Sequence, residues 1–344
     1  MGEPLSERWL DELWSDARAR LPAHVWRYFV AGAREEVTAG EAAEAWRALR
    51  FRPRVLRDVR RVDTGVTLLG SSYRLPVGIA PSSLQRAADP RGELAMAGAA
   101  GTLGVPHVVS SNAGHAFAEI AAVGAPWWLQ AYVTEARDEC LPMLEAAVEA
   151  GASAVVLTVD TPFAAPKHDL PEADFEDLSW HRVNYGRRVC EGRAGRWAHD
   201  LGPDDLAWLA SRTGLPVVVK GVLHPDDARL CVDAGASAVW VSNHGGRQLD
   251  RAMATATALP RIAAAVGDDA EVYVDGGIRS GLDVLAALAL GADAVFVGRV
   301  PLLALAAGGE ERLTEVLEQL ARELVEGMQL AGVGGLREPP DVLA

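Results

Sequence analysis

The fold is legible in one stretch, Gly235-Ala236-Ser237-Ala238-Val239-Trp240-Val241-Ser242-Asn243-His244-Gly245-Gly246-Arg247. Its Gly-Ala pair closes an Ala- and Leu-containing segment, Pro225–Ala234, whose spacing predicts a helix. Glycine suits the left-handed position that ends a helix. Ala238–Val241 is continuously apolar, as a parallel strand covered on both faces requires. Polar residues then leave the strand end: a serine, a histidine and, beyond two glycines, an arginine. Histidine is a base near neutral pH, and arginine is a fixed cation that grips a carboxylate through two parallel hydrogen bonds.

The same unit recurs along the chain. Eight short apolar runs are expected as strands: Pro76–Pro81, His107–Ser111, Trp127–Val133, Ala154–Asp160, Val217–Gly221, Ala238–His244, Glu271–Gly277 and Ala294–Arg299. Arg137–Ala150 and Ser280–Leu290 repeat the helical spacing, and Gly151-Ala152 and Gly291-Ala292 repeat the stop signal. Eight strand–helix units predict an α/β fold, a (β/α)8 TIM barrel, with a doubly wound open sheet as the alternative. We expect one domain over 1–344, with an N-terminal helical and extended segment at 1–70 and the barrel at 71–335. Within the first segment, residues 5–35 read as two helices and Arg52–Gly70 as extended. The tail Glu310–Leu330 reads as a helix that ends near Gly332, Gly334 and Gly335. Strand starts lie 20–33 residues apart except the fourth interval, which spans 63. The excess, Thr161–Gly202, carries Pro166, Pro171, Trp180 and Tyr185 and predicts a lid or substrate-selecting loop at the mouth.

The chain has 344 residues, 49% of them apolar, and a net charge of -14. That balance argues against nucleic acid and anionic membranes as partners. Three scattered cysteines, Cys140, Cys190 and Cys231, make neither a metal pattern nor a disulfide framework. They fit a reducing, cytoplasmic setting, and no metal is expected. Met1–Arg20 lacks the apolar core of a signal peptide, and no uninterrupted apolar stretch is long enough to span a membrane.

Barrel enzymes place their chemistry at the C-terminal ends of the strands. The polar residues at those ends are Ser82, Ser110, Gln130 with Tyr132, Thr158 with Asp160, Lys220, Ser242 with His244, Asp275 and Gly298-Arg299. The segment Ser242–Asp250 resembles the active-site signature of the FMN-dependent 2-hydroxy-acid oxidases and dehydrogenases. The similarity extends from Leu21-Pro22 and Tyr28–Ala33, through Arg52-Pro53-Arg54-Val55-Leu56, to about Arg337.

The resemblance implies FMN-dependent oxidation of an (S)-2-hydroxy acid to a 2-oxo acid. Electrons would pass to flavin N5 and then to oxygen or another acceptor. His244 takes the role of base, oriented by Asp160. Arg247 and Tyr28 take the substrate carboxylate, and Tyr132 its hydroxyl. Pro81, Ser82, Ser110, Gln130, Thr158 and Ser242 match positions that approach the flavin. Lys220 would sit near its N1 and stabilise negative charge there. Asp275, Gly277, Arg279, Gly298 and Arg299 match the ribityl and phosphate site, since glycines after the last two strands let backbone N–H groups approach a phosphate. One mononucleotide phosphate fits FMN rather than FAD, and no strand-associated G-x-G-x-x-G points to NAD. Relatives in this family are often homo-oligomers, tetramers among them, and the same is expected here.

Four positions depart from the family pattern. After Asp160-Thr161-Pro162 an arginine-rich run is usual, but here Lys167 is the nearest counterpart. Asn112 replaces a larger residue, Ala131 a leucine, and Ser83 an alanine or glycine close to the flavin. The first three predict a more open pocket and an unusual substrate, and Ser83 leaves the electron acceptor open. Two other classes remain: an aldolase or isomerase using Lys220 as a Schiff base, and a barrel that binds flavin or phosphate without turnover.

Overall fold

The computed structural model describes residues 4–168, 181–185 and 197–344. Pro171, Trp180 and Cys190 lie outside the described residues. Among the described residues there are ten strands, numbered β1 to β10 in chain order. A short antiparallel hairpin, β1 (Val66–Leu68) and β2 (Ser71–Tyr73), precedes the barrel. The barrel strands are β3 (Val77–Ile79), β4 (Val108–Ser110), β5 (Trp128–Ala131), β6 (Val155–Thr158), β7 (Val217–Val222), β8 (Ala238–Val241), β9 (Glu271–Val274) and β10 (Ala294–Val297). All eight pair in parallel in sequence order, and β10 returns to β3. Between β3 and β4 the barrel closes through a parallel bridge, Ile79 to His107, and the hydrogen bond from Ile79 N to Pro106 O at 2.9 Å. The open-sheet alternative is excluded, and each expected strand is found with its polar residues at or just beyond its C-terminal end.

The helix stops read from Gly151, Gly235 and Gly291 all have positive φ. They end the helices Leu141–Glu149, Pro225–Asp233 and Gly281–Ala289. Inside the barrel, alternate strand residues pack Trp128, Trp240, Tyr273 and Phe296 into one fully buried cluster. Trp240 and Phe296 are 4.1 Å apart between ring centroids. The interior is therefore a packed core, as in other barrels of this type. Burying large aromatics of this kind is the main stabilising term of such a core.

Two features of the N-terminal segment differ from expectation. Arg52–Gly70 is not simply extended. It runs into the hairpin, which turns over Leu69-Gly70, both at positive φ as a two-residue hairpin loop demands. Leu68 and Tyr73 of that hairpin join the interior aromatic cluster and so plug the lower end of the barrel. Leu69 N donates to Glu271 Oε1 at 2.8 Å, which fastens the turn to β9.

A third helix, Val37–Arg47, follows the two expected ones at Trp9–Arg20 and Ala23–Val30. Its β-branched start and Gly40 hide it, but Thr38, Ala42 and Trp46 form a buried stripe at helical spacing. Asp250, the last residue of the His244 segment, accepts hydrogen bonds from Thr38 N and Glu35 N, both at 3.0 Å. It caps this helix from outside, where an acidic group is favourable. Trp46 Nε1 donates to Gly276 O at 2.7 Å. The N-terminal segment is thus seated on the barrel mouth. The tail is helical as expected, joined to a preceding helical stretch within Arg299–Ala331 and broken at Gly308-Gly309. No described helix is long and apolar enough to cross a membrane.

Candidate active site

The strand ends open into a cavity of about 410 Å³. It is lined by Tyr28, Pro81, Ser82, Ser110, Gln130, Tyr132, Thr158, Lys167, Lys220, His244, Arg247, Asp275, Gly277, Arg279, Gly298 and Arg299. Every residue given a catalytic, substrate-binding or cofactor-binding role from sequence is among them except Asp160 and Ser242. Those two stand directly behind His244 and Lys220. The conserved geometry of the strands delivers this result, because residues two apart on a strand share one face and residues just past its end point into the mouth.

The base candidate is held at its backbone and at its ring. His244 adopts φ 56, followed by Gly245 at 61 and Gly246 at 75. A left-handed conformation costs a non-glycine residue roughly 1–2 kcal/mol. The surroundings offset that cost. His244 N donates to Ser242 Oγ at 3.1 Å, and His244 Nδ1 lies 2.9 Å from Asp160 Oδ1. Gly246 is required at its place by close approach as well as by φ. A Cβ there would lie 2.5 Å from the backbone nitrogen of Ala39 in the third helix.

Asp160 is partly buried, its side chain 13% exposed. Burial pushes its carboxyl up, but the His244 charge and hydrogen bond, with Lys220 and Thr161, bring it below its ordinary value. It is therefore ionised at neutral pH and can only accept. Nδ1 of His244 must carry the proton between them, which leaves Nε2 with the basic lone pair. Thr161 Oγ1 donates to Asp160 Oδ1 at 3.1 Å and accepts from Gln248 Nε2 at 2.8 Å. Gln248 Oε1 in turn accepts from Ala165 N at 3.1 Å.

A second network runs across the floor. Lys220, 4% exposed, lies 3.0 Å from Asp275 Oδ2 and donates to Ser242 Oγ at 2.8 Å. Ser242 Oγ donates to Asp275 Oδ1 at 2.7 Å. The buried ammonium is thereby paired and hydrogen-bonded, which its burial demands. Along three successive strand ends, Ser110 Oγ donates to Gln130 Oε1 at 3.2 Å and Gln130 Nε2 donates to Thr158 Oγ1 at 3.0 Å.

The arginines are organised by the helix Ala23–Val30. The last carbonyls of a helix lack partners within it and carry partial negative charge. Arg247 Nη1 donates to Tyr28 O at 2.7 Å and Ala31 O at 2.9 Å, with its guanidinium 4.9 Å above the Tyr28 ring. Arg299 donates to Phe29 O at 3.4 Å and Ala31 O at 3.3 Å. Burial pulls Arg299 down to about 9, with the charges of Arg247 and Arg279 adding to the effect. Burial likewise pulls Arg279 down to about 10. Neither has a carboxylate within ion-pair reach among the described residues.

On the remaining side, Lys167 Nζ donates to Ala165 O at 3.1 Å. Burial, and then Arg247, push it down to about 8. Burial also pushes the Tyr132 phenol well above its ordinary range, so it keeps its proton. The sequence reading missed Thr161, Ala164, His181, Arg182, Trp197 and Gln248, which also line the cavity. Thr161 and Gln248 had a signal, being inside the quoted motifs; the others lie in the insertion, where no spacing places them. Asn112 lines the cavity as expected. Ala131 is fully buried and does not.

A family profile described as FMN-dependent dehydrogenase matches residues 17–342. The chain belongs to the FMN-dependent dehydrogenase family. It is accordingly an oxidoreductase with FMN as cofactor. It is 39% identical over 337 residues to glycolate oxidase 3 from Arabidopsis thaliana, covering 94% of this chain and 91% of the relative. It is 39% identical over 335 residues to 4-hydroxymandelate oxidase from Amycolatopsis orientalis, covering 94% of each. The crystal structure of mandelate oxidase superposes with a TM-score of 0.87 at 39% identity, covering 95% of both chains.

Proposed function

We propose that this protein oxidises an (S)-2-hydroxy acid to the corresponding 2-oxo acid, with His244 as base and oxygen as electron acceptor. The observation that carries the reading is the pairing of an oriented histidine with a carboxylate-binding arginine in one cavity. The relatives above are named as oxidases of glycolate, mandelate and 4-hydroxymandelate, which supports both substrate class and acceptor.

The far end of the cavity fits FMN. Arg279 and Arg299 are half-buried cations without a carboxylate partner among the described residues, a state that a bound phosphate relieves. Gly298 precedes the helix Arg299–Ala331, and a Cβ there would meet only Ala80 Cβ, at 3.8 Å. That leaves room for an anion at a helix N-terminus. With Gly277, these residues would hold the phosphate, and Asp275 the ribityl chain. Pro81, Ser82, Ser110, Gln130, Thr158, Ser242 and Lys220 would hold the ring. When bound, FMN supplies the acceptor for the substrate's two electrons.

The chain's own residues do the rest. Arg247 binds the substrate carboxylate beside Tyr28, and Lys167 adds a second positive charge to that end. Tyr132, kept protonated, donates to the 2-hydroxyl. His244 Nε2 takes the proton the substrate releases, from C2 or from its hydroxyl, and Asp160 stabilises the imidazolium that results. The Schiff-base alternative needs a neutral lysine; Lys220 instead sits against Asp275 and Ser242, 4% exposed.

The test is anaerobic mixing of the FMN-loaded protein with 2-hydroxy acids while following flavin absorbance near about 450 nm. Bleaching by a 2-hydroxy acid, reversed by air, is the expected result. Flavin that stays oxidised with every acid would overturn the substrate class, and bleaching that air does not reverse would overturn the acceptor.

A further inference from the structure

At the end of β4, Asn112 is buried to 7% exposure and accepts a hydrogen bond from Arg182 Nε at 3.1 Å. The Arg182 guanidinium lies 5.1 Å above the Trp197 ring, and that ring lies 5.2 Å from Tyr132. All four residues line the same cavity. The turn that carries Arg182 is fixed to the barrel. Val183 N donates to Ala113 O at 3.3 Å, Asn184 Nδ2 donates to His115 O at 2.9 Å, and Tyr185 OH donates to Tyr132 O at 3.2 Å. His181 beside it is pushed down to about 4 by burial and by Arg182, so it is neutral at pH 7.

Six basic side chains line the cavity among the described residues: Lys167, Arg182, Lys220, Arg247, Arg279 and Arg299. The one lining carboxylate among the described residues, Asp275, is engaged by Lys220. In a chain of net charge -14, this concentration is local rather than general. A cofactor phosphate and a substrate carboxylate account for Arg279, Arg299, Arg247 and Lys167. Arg182 has no role in that assignment. It stands two ring contacts away from Tyr132, beyond where the reacting carbon would be held.

Resting on the 2-hydroxy-acid reading, we propose that Arg182 and Asn112 form a subsite for a second, distal carboxylate on the substrate's side chain. The preferred substrates are then (S)-2-hydroxydicarboxylic acids. The guanidinium supplies charge and planar donors to that carboxylate. Trp197 and Tyr132 cover the carbons between the two ends.

The experiment compares acids of equal carbon number in anaerobic reduction of the FMN-loaded enzyme. (S)-2-Hydroxysuccinate is set against (S)-2-hydroxybutanoate, and (S)-2-hydroxyglutarate against (S)-2-hydroxypentanoate. The dicarboxylates should win by roughly tenfold to a hundredfold in reduction rate over Kd, the span of a charge-assisted contact. Arg182→Ala should remove that preference through Kd, affecting the monocarboxylates far less. Asn112→Leu should act in the same direction and more weakly. Calorimetry with glutarate and with pentanoate reads the same preference without turnover, and FMN content checks that each variant folds.

Preference for monocarboxylates, or equal loss of both classes in Arg182→Ala, would overturn the proposal. If 2-hydroxy-3-phosphopropanoate outperforms every dicarboxylate and Arg182→Ala abolishes that advantage, the distal group is a phosphate and the carboxylate assignment is wrong. If no 2-hydroxy acid bleaches the flavin, the parent reading has failed and takes this subsite with it.

Discussion

The cavity has two unlike walls. On the barrel side, each functional side chain is tied to another from a different strand end: Ser110 to Gln130 to Thr158, Lys220 to Ser242 and Asp275, His244 to Asp160. On the insertion side, Lys167 hydrogen-bonds a backbone carbonyl two residues away, and Arg182 leans on Asn112 and the face of Trp197. A network whose members are mutually satisfied fixes geometry to within the tolerance that proton transfer needs. A wall of charges on a connecting segment offers attraction without that precision. The barrel wall is thus suited to the reaction, and the insertion wall to the choice of what enters.

The sharpest way to break this division is at His244. Replacing it with alanine should lower the rate of flavin reduction by roughly 10³-fold or more while FMN remains bound, since general-base contributions run to about 10⁴. A variant that reduces the flavin as fast as the wild type would remove the base from the barrel wall altogether. Asp160→Asn comes next. The amide can donate to Nδ1, which favours the tautomer with the proton on Nε2 and disables the base. Stopped-flow reduction should slow by on the order of 10², with little change in substrate Kd. A change confined to Kd would mean that Asp160 acts on binding instead.

A third contrast concerns how the N-terminal segment is clamped over the mouth. Gly246 and Gly235 both have positive φ, but only the first has a neighbour where a Cβ would go. Gly235→Ala should cost about 1 kcal/mol from backbone strain alone, and Gly246→Ala at least about twice that, because Ala39 must also move. Thermal unfolding of the FMN-loaded proteins measures the difference. Equal shifts would show that the third helix yields easily and does not clamp the mouth.

How much of this could be read from sequence follows the same division. The barrel wall was legible because strand period, helix stops and strand-end position are local properties of the chain; Lys220 and Asp275 needed no more than a place at the end of an apolar run. The third helix was not legible. Its start is β-branched, and what holds it is tertiary: a cap from Asp250 and a stripe matched to Gly246 and Gly276. The hairpin plug was hidden in the same way, since Leu68 and Tyr73 owe their burial to a barrel end that local sequence does not describe. Arg182 was invisible for a third reason. Its position depends on bonds from its turn to residues 113–115 and 132, and no periodic pattern links those segments.

Lys167 gives the finest test of the insertion wall. Burial and the neighbouring Arg247 lower its pKa to about 8, so its ammonium is complete only below that pH and is lost as pH rises through it. If it helps hold the substrate carboxylate, the Kd of a carboxylate ligand should be lowest near pH 7 and rise severalfold between about pH 7.5 and 9. Bound anion favours the charged form, so the same transition should fall at higher pH in the complex than in the free enzyme. Lys167→Met should flatten this limb at a uniformly weaker Kd. Lys167→Arg should flatten it with affinity retained, because a guanidinium keeps its proton across the range. A limb that persists unchanged in Lys167→Met would assign the titration to another group and leave Arg247 as the carboxylate's sole cation on that side.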